Sequence, residues 1–484
     1  MGSRSKKKQR NHITHPSEHM GNKQVQTITE TGALGKFFKL NARGTDARTE
    51  VMAGITTFMT MAYILAVNPS ILSAAGMDST AVLLATCLAS FLGTMCMGLM
   101  ANLPFALSAG MGLNAFMAYT VCGSMGYSWQ VALLAVFIEG LIFIVLSVTK
   151  VREAIFDSIP LSLKKAVSVG IGLFIAFIGL QNAKLVVGGA TLVELVDFRT
   201  DFHTQGICAL LAVIGTVVMA ILYIKKVPGS ILIGIFGTWI LGMICQGIGL
   251  YVPDNENWFS LFPSFSMTDF SSLGKTFGKC FDVDFGSVGV FNFIVVIFSF
   301  LFVDLFDTLG TLIGVASKAD MLDKDGKLPA IRPALMADAV ATTGGAVLGT
   351  STTTTFVESA AGVGAGGRTG LTAVTTAVLF LASMLFAPVF IAIPSFATAP
   401  ALIVVGFLMF SSITDIKFDA DNYTEAVPAY FCILAMPLFY SIAEGISVGV
   451  MSYVAINLFC GKAKKINPIM YVLTVLFLLK YIFL

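Results

Sequence analysis

The chain has 484 residues, of which 56% are hydrophobic and 12% are charged, and its formal net charge is +2. With a mean hydropathy of +0.85, this composition excludes a water-soluble catalytic domain and predicts a polytopic membrane protein. The eight cysteines are scattered singly without metal-ligand spacing, so the sequence predicts neither a metal site nor a cofactor site.

The chain begins with a polar segment, residues 1–49, that is rich in lysine and arginine. Basic segments beside membrane spans remain on the cytoplasmic side of the bilayer. We therefore predict a cytoplasmic basic tail over residues 1–49.

Fourteen apolar stretches of membrane-spanning length follow this tail. The first seven are residues 51–73, 80–100, 104–121, 129–149, 165–183, 206–224 and 228–250. The second seven are residues 287–316, 331–349, 351–365, 371–393, 396–412, 427–443 and 445–460. The predicted fold class is therefore an all-α polytopic membrane protein with fourteen transmembrane segments.

These segments fall into two sets of seven, residues 50–250 and residues 286–460, separated by an extracytoplasmic loop over residues 251–285. An odd number of spans in each set places the two sets in opposite orientations, so we predict two inverted seven-helix repeats. Residues 461–484 are predicted to form a C-terminal interfacial helix.

Lysine and arginine residues mark the links that we expect on the cytoplasmic side. These basic residues are Lys150, Arg152, Lys164, Lys165, Lys225, Lys226, Lys318, Lys324, Lys327, Arg332, Arg368, Lys462, Lys464 and Lys465. All of them fall on the same side as the basic tail, so both termini are predicted to be cytoplasmic.

The third segment of each repeat is short and broken. The earlier one reads PFALSAGMGLNA over residues 104–115, and the later one reads STTTTFVESAAGVG over residues 351–364. Pro104 cannot donate a hydrogen bond inside a helix, and a run of threonines favours extended structure. We predict that segments 3 and 10 each hold a short strand followed by a half-helix, and that the two strands pair at membrane depth. The positive N-terminal ends of the half-helices would then face a small polar molecule.

Asn114 lies on the predicted half-helix of segment 3. Its amide offers both a hydrogen-bond donor and an acceptor, which suits a heterocycle with mixed edges. The alternative interpretation of Asn114 is an interhelical amide hydrogen bond.

Segment 8 carries a polar stripe, because Asp304, Asp307, Thr308 and Thr311 recur at helical spacing. An ionised aspartate at the centre of a bilayer costs about 2.5 to 3.5 kcal/mol, so such residues usually face a cavity or a pathway. We predict that Asp304, Asp307 and Thr308 contact a substrate. A packed polar interface between helices is the alternative.

Glu358 stands at the predicted start of the half-helix in segment 10. A desolvated carboxylate accepts strong hydrogen bonds from ring N–H groups, so we predict that Glu358 and the neighbouring Phe356 bind the substrate. A structural helix cap is the alternative for Glu358. Glu139, Asp338 and Glu444 also lie in apolar surroundings and are further candidates for proton handling.

Four motifs carry a resemblance to a known family: MAGITTFMTMAY at 52–63, GMGLNA at 110–115, FVDLFDTLG at 302–310 and TTFVESAAGV at 354–363. With these motifs the chain resembles purine permeases of the azaguanine-resistance type. They belong to the nucleobase-cation symporter superfamily, which also holds xanthine and uracil permeases. The likeness extends from about residue 48 to the C-terminus.

The resemblance implies a core domain from segments 1–4 and 8–11 and a gate domain from segments 5–7 and 12–14. It further implies that adenine, guanine or hypoxanthine is the substrate and that protons drive uptake. Asn114, Asp307 and Glu358 match polar residues that such permeases need for substrate recognition or transport.

The function that we predict is secondary active uptake of purine nucleobases across the plasma (inner) membrane by proton symport, with an elevator-like movement of the core. Glu358 would accept ring N–H bonds, Asn114 would help select the exocyclic group, and Asp307, together with Glu358, would couple protonation to binding. The expected partners are a purine nucleobase and the lipid bilayer, with no nucleic acid. A homodimer through the gate domain is left open.

Two other functions are considered. A transporter of the same architecture could carry xanthine, uracil or an anion, although acidic groups at the site argue against anions. An intramembrane prenyltransferase could use paired aspartates to hold Mg²⁺ and diphosphate. That chemistry calls for basic residues near the site, whereas the basic residues of this chain concentrate in the links.

Overall fold

The computed structural model describes residues 33–149, 151, 158–189, 192–199, 201–253, 258–263, 267–283, 289–319, 321–323 and 328–483. Most of the predicted cytoplasmic tail therefore lies outside the described residues. Within the described ranges, ten helices are long and apolar enough to cross a membrane. The chain is thus a helical polytopic membrane protein.

The first half of the chain contains the broken first span, several long helices, and the strand and half-helix of segment 3. In chain order its elements are α1 (Ala33–Phe38), α2 (Ala47–Met61), α3 (Ile64–Ser73), α4 (Ser79–Cys96), β1 (Leu107–Ala109), α5 (Met111–Ala115), α6 (Trp129–Thr149), α7 (Leu161–Asn182), β2 (Val186–Gly188), β3 (Val193–Leu195), α8 (Ile207–Ile224) and α9 (Ser230–Gly247). A π-helical stretch, Phe116–Ser124, continues α5.

The second half repeats the pattern of long helices interrupted by one strand and a half-helix. Its elements are α10 (Val290–Lys318), α11 (Ile331–Leu348), β4 (Thr353–Thr355), α12 (Ser359–Gly364), α13 (Gly370–Ser383), α14 (Ala387–Ile391), α15 (Ser395–Phe410), α16 (Tyr423–Leu438), α17 (Ile442–Phe459) and α18 (Pro468–Phe483).

The prediction of paired strands in segments 3 and 10 is confirmed. β1 pairs antiparallel with β4, so that Leu107 lies opposite Thr355 and Ala109 lies opposite Thr353. The backbone N–H of Phe356 extends the ladder by donating to the carbonyl of Ala106 at 3.0 Å. All six strand residues are buried, so their backbone groups satisfy one another as a water-free environment requires.

The remaining predicted segments have shorter or less apolar helices than the ten long spans. Segment 9 corresponds to α11, whose 18 residues include Asp338, and segment 13 corresponds to α16, which has 16 residues. Segments 3 and 10 are the strand and half-helix units. These four segments are broken, short or polar, and none of them is among the ten long apolar helices of the described residues.

The helices pack in two groups. One group contains α2–α6 and α10–α13, in which α11 packs against α4 and α6 while α13 packs against α2 and α4. The other contains α7–α9 and α15–α17, with α7 packed against α15 and α16. The backbones approach closely in the second group, since a Cβ on Gly406 of α15 would clash with the carbonyl oxygen of Gly172 in α7.

The loop before α10 is anchored to the start of α4 by an ion pair. Lys275 Nζ lies 2.5 Å from Asp78 Oδ2, and Asp78 also accepts a hydrogen bond from the Ala81 N–H at the start of α4. Burial raises the pKa of Asp78, but the hydrogen bond from Lys275 and the backbone N–H groups outweigh it and hold the pKa below its ordinary value.

The C-terminal helix, for which we predict an interfacial position, packs against the helical bundle. The Tyr481 hydroxyl near the end of α18 lies 2.7 Å from Ser447 Oγ and hydrogen-bonds to Glu444, both in the first turns of α17. The Phe477 ring lies 5.7 Å from the ring of Phe298 in α10. α18 therefore runs antiparallel to α17 beside it.

Candidate functional site

A small cavity of about 40 Å³ lies where the two helix groups meet. The first group supplies its polar wall from the break in the first span, from the paired strands, and from α10. The second group supplies an apolar wall from Ile171 and Ile175 on α7 and from Val405 and Met409 on α15. The cavity therefore has one polar side and one apolar side, as small-molecule sites commonly have.

Glu358 is the first acidic group of this cavity. Its side chain is 9% exposed, and its Oε1 accepts a hydrogen bond of 2.7 Å from the Tyr63 hydroxyl. Although Glu358 precedes α12, its side chain makes no capping hydrogen bond to that helix. Glu358 therefore does not act as a side-chain helix cap in the structure, and its carboxylate lines the cavity.

Tyr63 reaches Glu358 because the first span is interrupted between α2 and α3. Tyr63 stands in this interruption, is fully buried, and lines the cavity. Sequence reasoning assigned no role to Tyr63. The available signal was a polar aromatic residue at the end of the 52–63 motif, but its partner lies 295 positions away in sequence.

Asp307 is the second acidic group of the cavity. Its Oδ2 accepts a hydrogen bond of 3.2 Å from Thr354 Oγ1 on β4, and both residues line the cavity. Asp307 also interacts electrostatically with Glu358, so the two acids share one environment. Two carboxyl groups in a confined space disfavour simultaneous ionisation.

The polar stripe of α10 divides into two faces. Asp307 and Thr311 line the cavity, whereas Asp304 and Thr308 are fully buried and do not line it. Helical rotation explains the division, because residues four apart share a face while residues three apart diverge slightly. Asp304 and Thr308 could therefore contact a substrate only if the conformation of the site changed.

Asn114 lies behind the cavity wall. It is fully buried, its Oδ1 accepts a hydrogen bond from Ser351 Oγ, and its Nδ2 donates to the Ala109 carbonyl at 3.4 Å. These contacts join the half-helix of segment 3 to the start of the broken stretch in segment 10. Phe356, in contrast, lines the cavity directly.

The further acidic candidates lie outside the cavity lining. Glu139 Oε2 accepts a hydrogen bond of 2.9 Å from Thr352 Oγ1, and Asp338 Oδ1 lies 2.9 Å from Thr308 Oγ1. Glu444 contacts Tyr481 of the C-terminal helix. The hydroxyls of Ser351, Thr352 and Thr354 thus reach three different polar partners, a role that their strand propensity alone did not predict.

The arrangement favours an uncharged planar ligand with N–H donors. Glu358 and Asp307 offer carboxylate acceptors, the hydroxyls of Tyr63 and Thr354 offer donors or acceptors, and Phe356 offers an aromatic ring. Lysine, arginine and histidine are absent from the described residues that line the cavity. Such a lining would bind an anion poorly.

The chain has a family match and full-length relatives. The Permease family model (Xan_ur_permease) matches residues 48–448. Guanine/hypoxanthine permease PbuG of Bacillus subtilis (strain 168) is 43% identical over 93% of this chain and 99% of its own length. Adenine permease AdeQ of Escherichia coli (strain K12) is 40% identical over 94% of this chain and 97% of its own length.

The fold also has a counterpart among solved structures. The transmembrane domain of a cyanobacterium bicarbonate transporter, BicA, superimposes with a TM-score of 0.61 over 82% of this chain and 97% of that domain. Sequence identity between the two is 14%, so this likeness concerns the fold alone.

Proposed function

The chain belongs to the Permease family, and on that premise we propose that it takes up purine nucleobases across the membrane together with protons. It is a transporter rather than an enzyme, because the family and the full-length relatives are permeases. The observation that carries the purine proposal is the proximity of two carboxyl groups, the buried Glu358 and the partly buried Asp307, in a cavity otherwise lined by hydroxyls and apolar side chains.

Purine rings fit this chemistry. Adenine, guanine and hypoxanthine are planar and present ring N–H donors, which a desolvated carboxylate binds through charge-assisted hydrogen bonds. In the proposed complex Glu358, already oriented by Tyr63, accepts from the ring, and Phe356 contacts its face. Asn114 acts from behind the wall by fixing the two broken segments that carry these groups.

We assign the two helix groups to two moving parts. The core contains segments 1–4 and 8–11 of a fourteen-segment inverted repeat, and the gate contains segments 5–7 and 12–14. A cavity of about 40 Å³ has room for a few water molecules, which is less than a purine needs. Admission of the base therefore requires Ile171 and Val405 of the gate to separate from the polar wall. An elevator-like shift of the core would provide this separation.

Proton coupling has a physical reason in this site. A neutral base beside a neutralised carboxyl group crosses the low-dielectric membrane at a lower cost than a bare charge. Asp307 is assigned to carry the proton, with Glu358 as the group that senses the base. Their electrostatic interaction links protonation of one to binding at the other.

The alternatives differ in their support. An anion is disfavoured by the acidic lining, and the bicarbonate transporter of similar fold carries no argument about the ligand at 14% identity. Xanthine or uracil remains a candidate because a single hydrogen bond shifts preference by only about 1 to 3 kcal/mol.

The test is uptake by purified protein in liposomes with an imposed pH gradient. We expect labelled hypoxanthine to accumulate when the outside is acidic and to be lost when a protonophore collapses the gradient. Unlabelled adenine and guanine should compete more strongly than xanthine and uracil. Accumulation of none of these bases would contradict the proposal.

Two variants locate the site within the same assay. Glu358→Gln should lower the apparent affinity for purines, and Asp307→Asn should abolish accumulation against a gradient. Asp415→Asn is the matched control, because Asp415 pairs with Lys165 at the surface and lies away from the cavity. If both cavity variants accumulated purine like the parent protein, the site would lie elsewhere.

We further propose a plasma-membrane location with the N-terminal tail in the cytoplasm, and a homodimer formed through the gate domain. Light scattering of the protein in detergent would detect the dimer. A mass corresponding to one chain would argue against it.

A further inference from the structure

A hydroxyl group bridges two buried acids on neighbouring helices. Thr308 Oγ1 of α10 lies 2.8 Å from Asp304 Oδ1 and 2.9 Å from Asp338 Oδ1 of α11. All three side chains are fully buried, and none of them lines the substrate cavity. The bridge therefore lies inside the core group of helices.

The number of hydrogen atoms restricts the protonation of this bridge. A threonine hydroxyl carries one hydrogen, so it donates one hydrogen bond and accepts through its lone pairs. If it donates to one carboxyl oxygen, the other contact is a hydrogen bond only when that carboxyl group is itself protonated and donates. Two ionised carboxylates would leave one pair of oxygen atoms in close contact with no hydrogen between them.

Neighbouring charges act in the same direction. Asp307 interacts electrostatically with both Asp338 and Glu358, and Glu139 lies on α6, which packs against α10 and α11. Isolated ionised carboxylates in a medium of low dielectric constant are costly, and adjacent like charges add repulsion. A proton on the bridge removes one charge and completes the hydrogen bonds.

We propose that Asp304, Thr308 and Asp338 form a proton-binding site that holds at least one proton throughout the transport cycle. This proton is distinct from the one that is assigned to Asp307. The distinction rests on the proposed function, but the existence of the site does not rest on it. Both carboxyl groups belong to the same helix group and face no cavity, so the proton travels with the core and does not exchange at either membrane face. Its role is to hold α10 against α11.

Infrared spectroscopy tests the site directly. The protein is prepared with ¹³C in the side-chain carboxyl of aspartate, and the carbonyl stretch of protonated carboxylic acids is recorded above the amide I band at neutral pH. We expect a label-sensitive band that persists after prolonged exposure to D₂O, and that is unchanged when hypoxanthine is added or the bath pH is varied. Absence of such a band from the parent protein would overturn the proposal without any variant.

Substitutions assign the band. It should be lost in the Asp304→Asn/Asp338→Asn double variant, in which two amides can satisfy the Thr308 hydroxyl without a carboxylic acid. Asp307→Asn is the control, because its acid lies on the same helix but faces the cavity, and the exchange-resistant band should survive there. Should the double variant fail to fold, the two single Asn variants serve, and at least one of them should weaken or shift the band.

Two further results would contradict the proposal. Survival of the band in the double variant would place the protonated aspartate elsewhere. A band that disappears on purine binding would show that the bridge releases its proton during transport, which contradicts a resident proton. Because the measurement needs no uptake, a failure of purine transport would leave it unaffected.

Discussion

At the scale of single residues, the cavity depends on the orientation of one carboxylate. Glu358 has two oxygens with a wide range of hydrogen-bond directions, and a charged acceptor on a short half-helix would otherwise sample several positions. The Tyr63 hydroxyl restricts it through a hydrogen bond of 2.7 Å, in which Tyr63 is fully buried and Glu358 is 9% exposed. Orientation before binding lowers the entropy that a ligand must remove.

Replacement of Tyr63 by phenylalanine removes that restriction and changes little else. A hydrogen bond to a charged group contributes about 1.5 to 3 kcal/mol, so we expect Tyr63→Phe to lower Vmax/KM for purine uptake by about tenfold or more. The measurement is initial uptake rate against base concentration in liposomes. Tyr430→Phe is the control, because Tyr430 is an exposed tyrosine on α16. Kinetics of Tyr63→Phe equal to those of Tyr430→Phe would show that Glu358 needs no orientation.

Sequence patterns indicated the two acids that line the cavity, but not the residues that donate hydrogen bonds to them. Asp307 and Glu358 were identifiable because carboxyl groups are expensive at membrane depth and therefore need a reason. Tyr63 and Thr354 are chemically ordinary in an apolar segment, and their importance comes only from what they touch. The family resemblance favours Asp307 over Asp304, because Asp307 stands directly before Thr308-Leu309-Gly310, and in the structure Asp307 lines the cavity whereas Asp304 does not.

At the scale of elements, the paired strands were predictable and the contacts that support them were not. The four consecutive threonines and Pro104 rule against continuous helix, which leaves extended structure that must pair at membrane depth. The exact register, with Ser108 opposite Thr354, follows from packing between helices far apart in sequence. Local secondary-structure propensity contains no information about how helices far apart in sequence pack against one another.

The start of α13 shows how one span supports another. Glu50 in the first turn of α2 is fully buried, and its carboxylate accepts from the N–H groups of Arg368 at 2.8 Å and Thr369 at 3.2 Å. It also accepts from the Thr372 hydroxyl at 2.6 Å. The first N–H groups of a helix have no partner within the helix, and Glu50 also accepts from one of these, the Thr372 N–H at 3.3 Å, so an acid from another span caps α13 and complements its dipole.

Loss of this acid should destabilise the protein without changing its substrate preference. Glu50→Gln places an NH₂ group against N–H donors, and each buried group left unsatisfied costs about 1 to 3 kcal/mol. We expect a lower melting temperature in detergent, measured by intrinsic fluorescence. Thr372→Val should have a smaller effect because it removes one donor only. A melting temperature of Glu50→Gln equal to that of the control Glu194→Gln, an exposed acid on β3, would contradict the capping role.

At the scale of the whole molecule, the position of the C-terminal helix affects the topology. Its inner face is buried, with Met470 0% and Phe477 4% exposed, while Val472, Val475 and Ile482 on the outer face are more than half exposed. These described side chains are apolar on both faces, a pattern that favours a helix between protein and lipid. The 16 residues of α18 extend about 24 Å, which is less than the hydrocarbon thickness of about 30 Å, so a crossing by α18 requires local thinning or flanking residues at its ends.

The course of α18 predicts that the C-terminus lies on the opposite side of the membrane from the basic link before it. Lys462, Lys464 and Lys465 favour the cytoplasmic side for that link, and α18 returns from there to the level of the first turns of α17. It differs from the cytoplasmic C-terminus that an interfacial helix implies. We expect alkaline phosphatase fused after Leu484 to be active and green fluorescent protein fused there to be dark. Fusions after Lys465, which lack α18, should give the reverse pattern. A fluorescent fusion at Leu484 would show that α18 does not cross the bilayer.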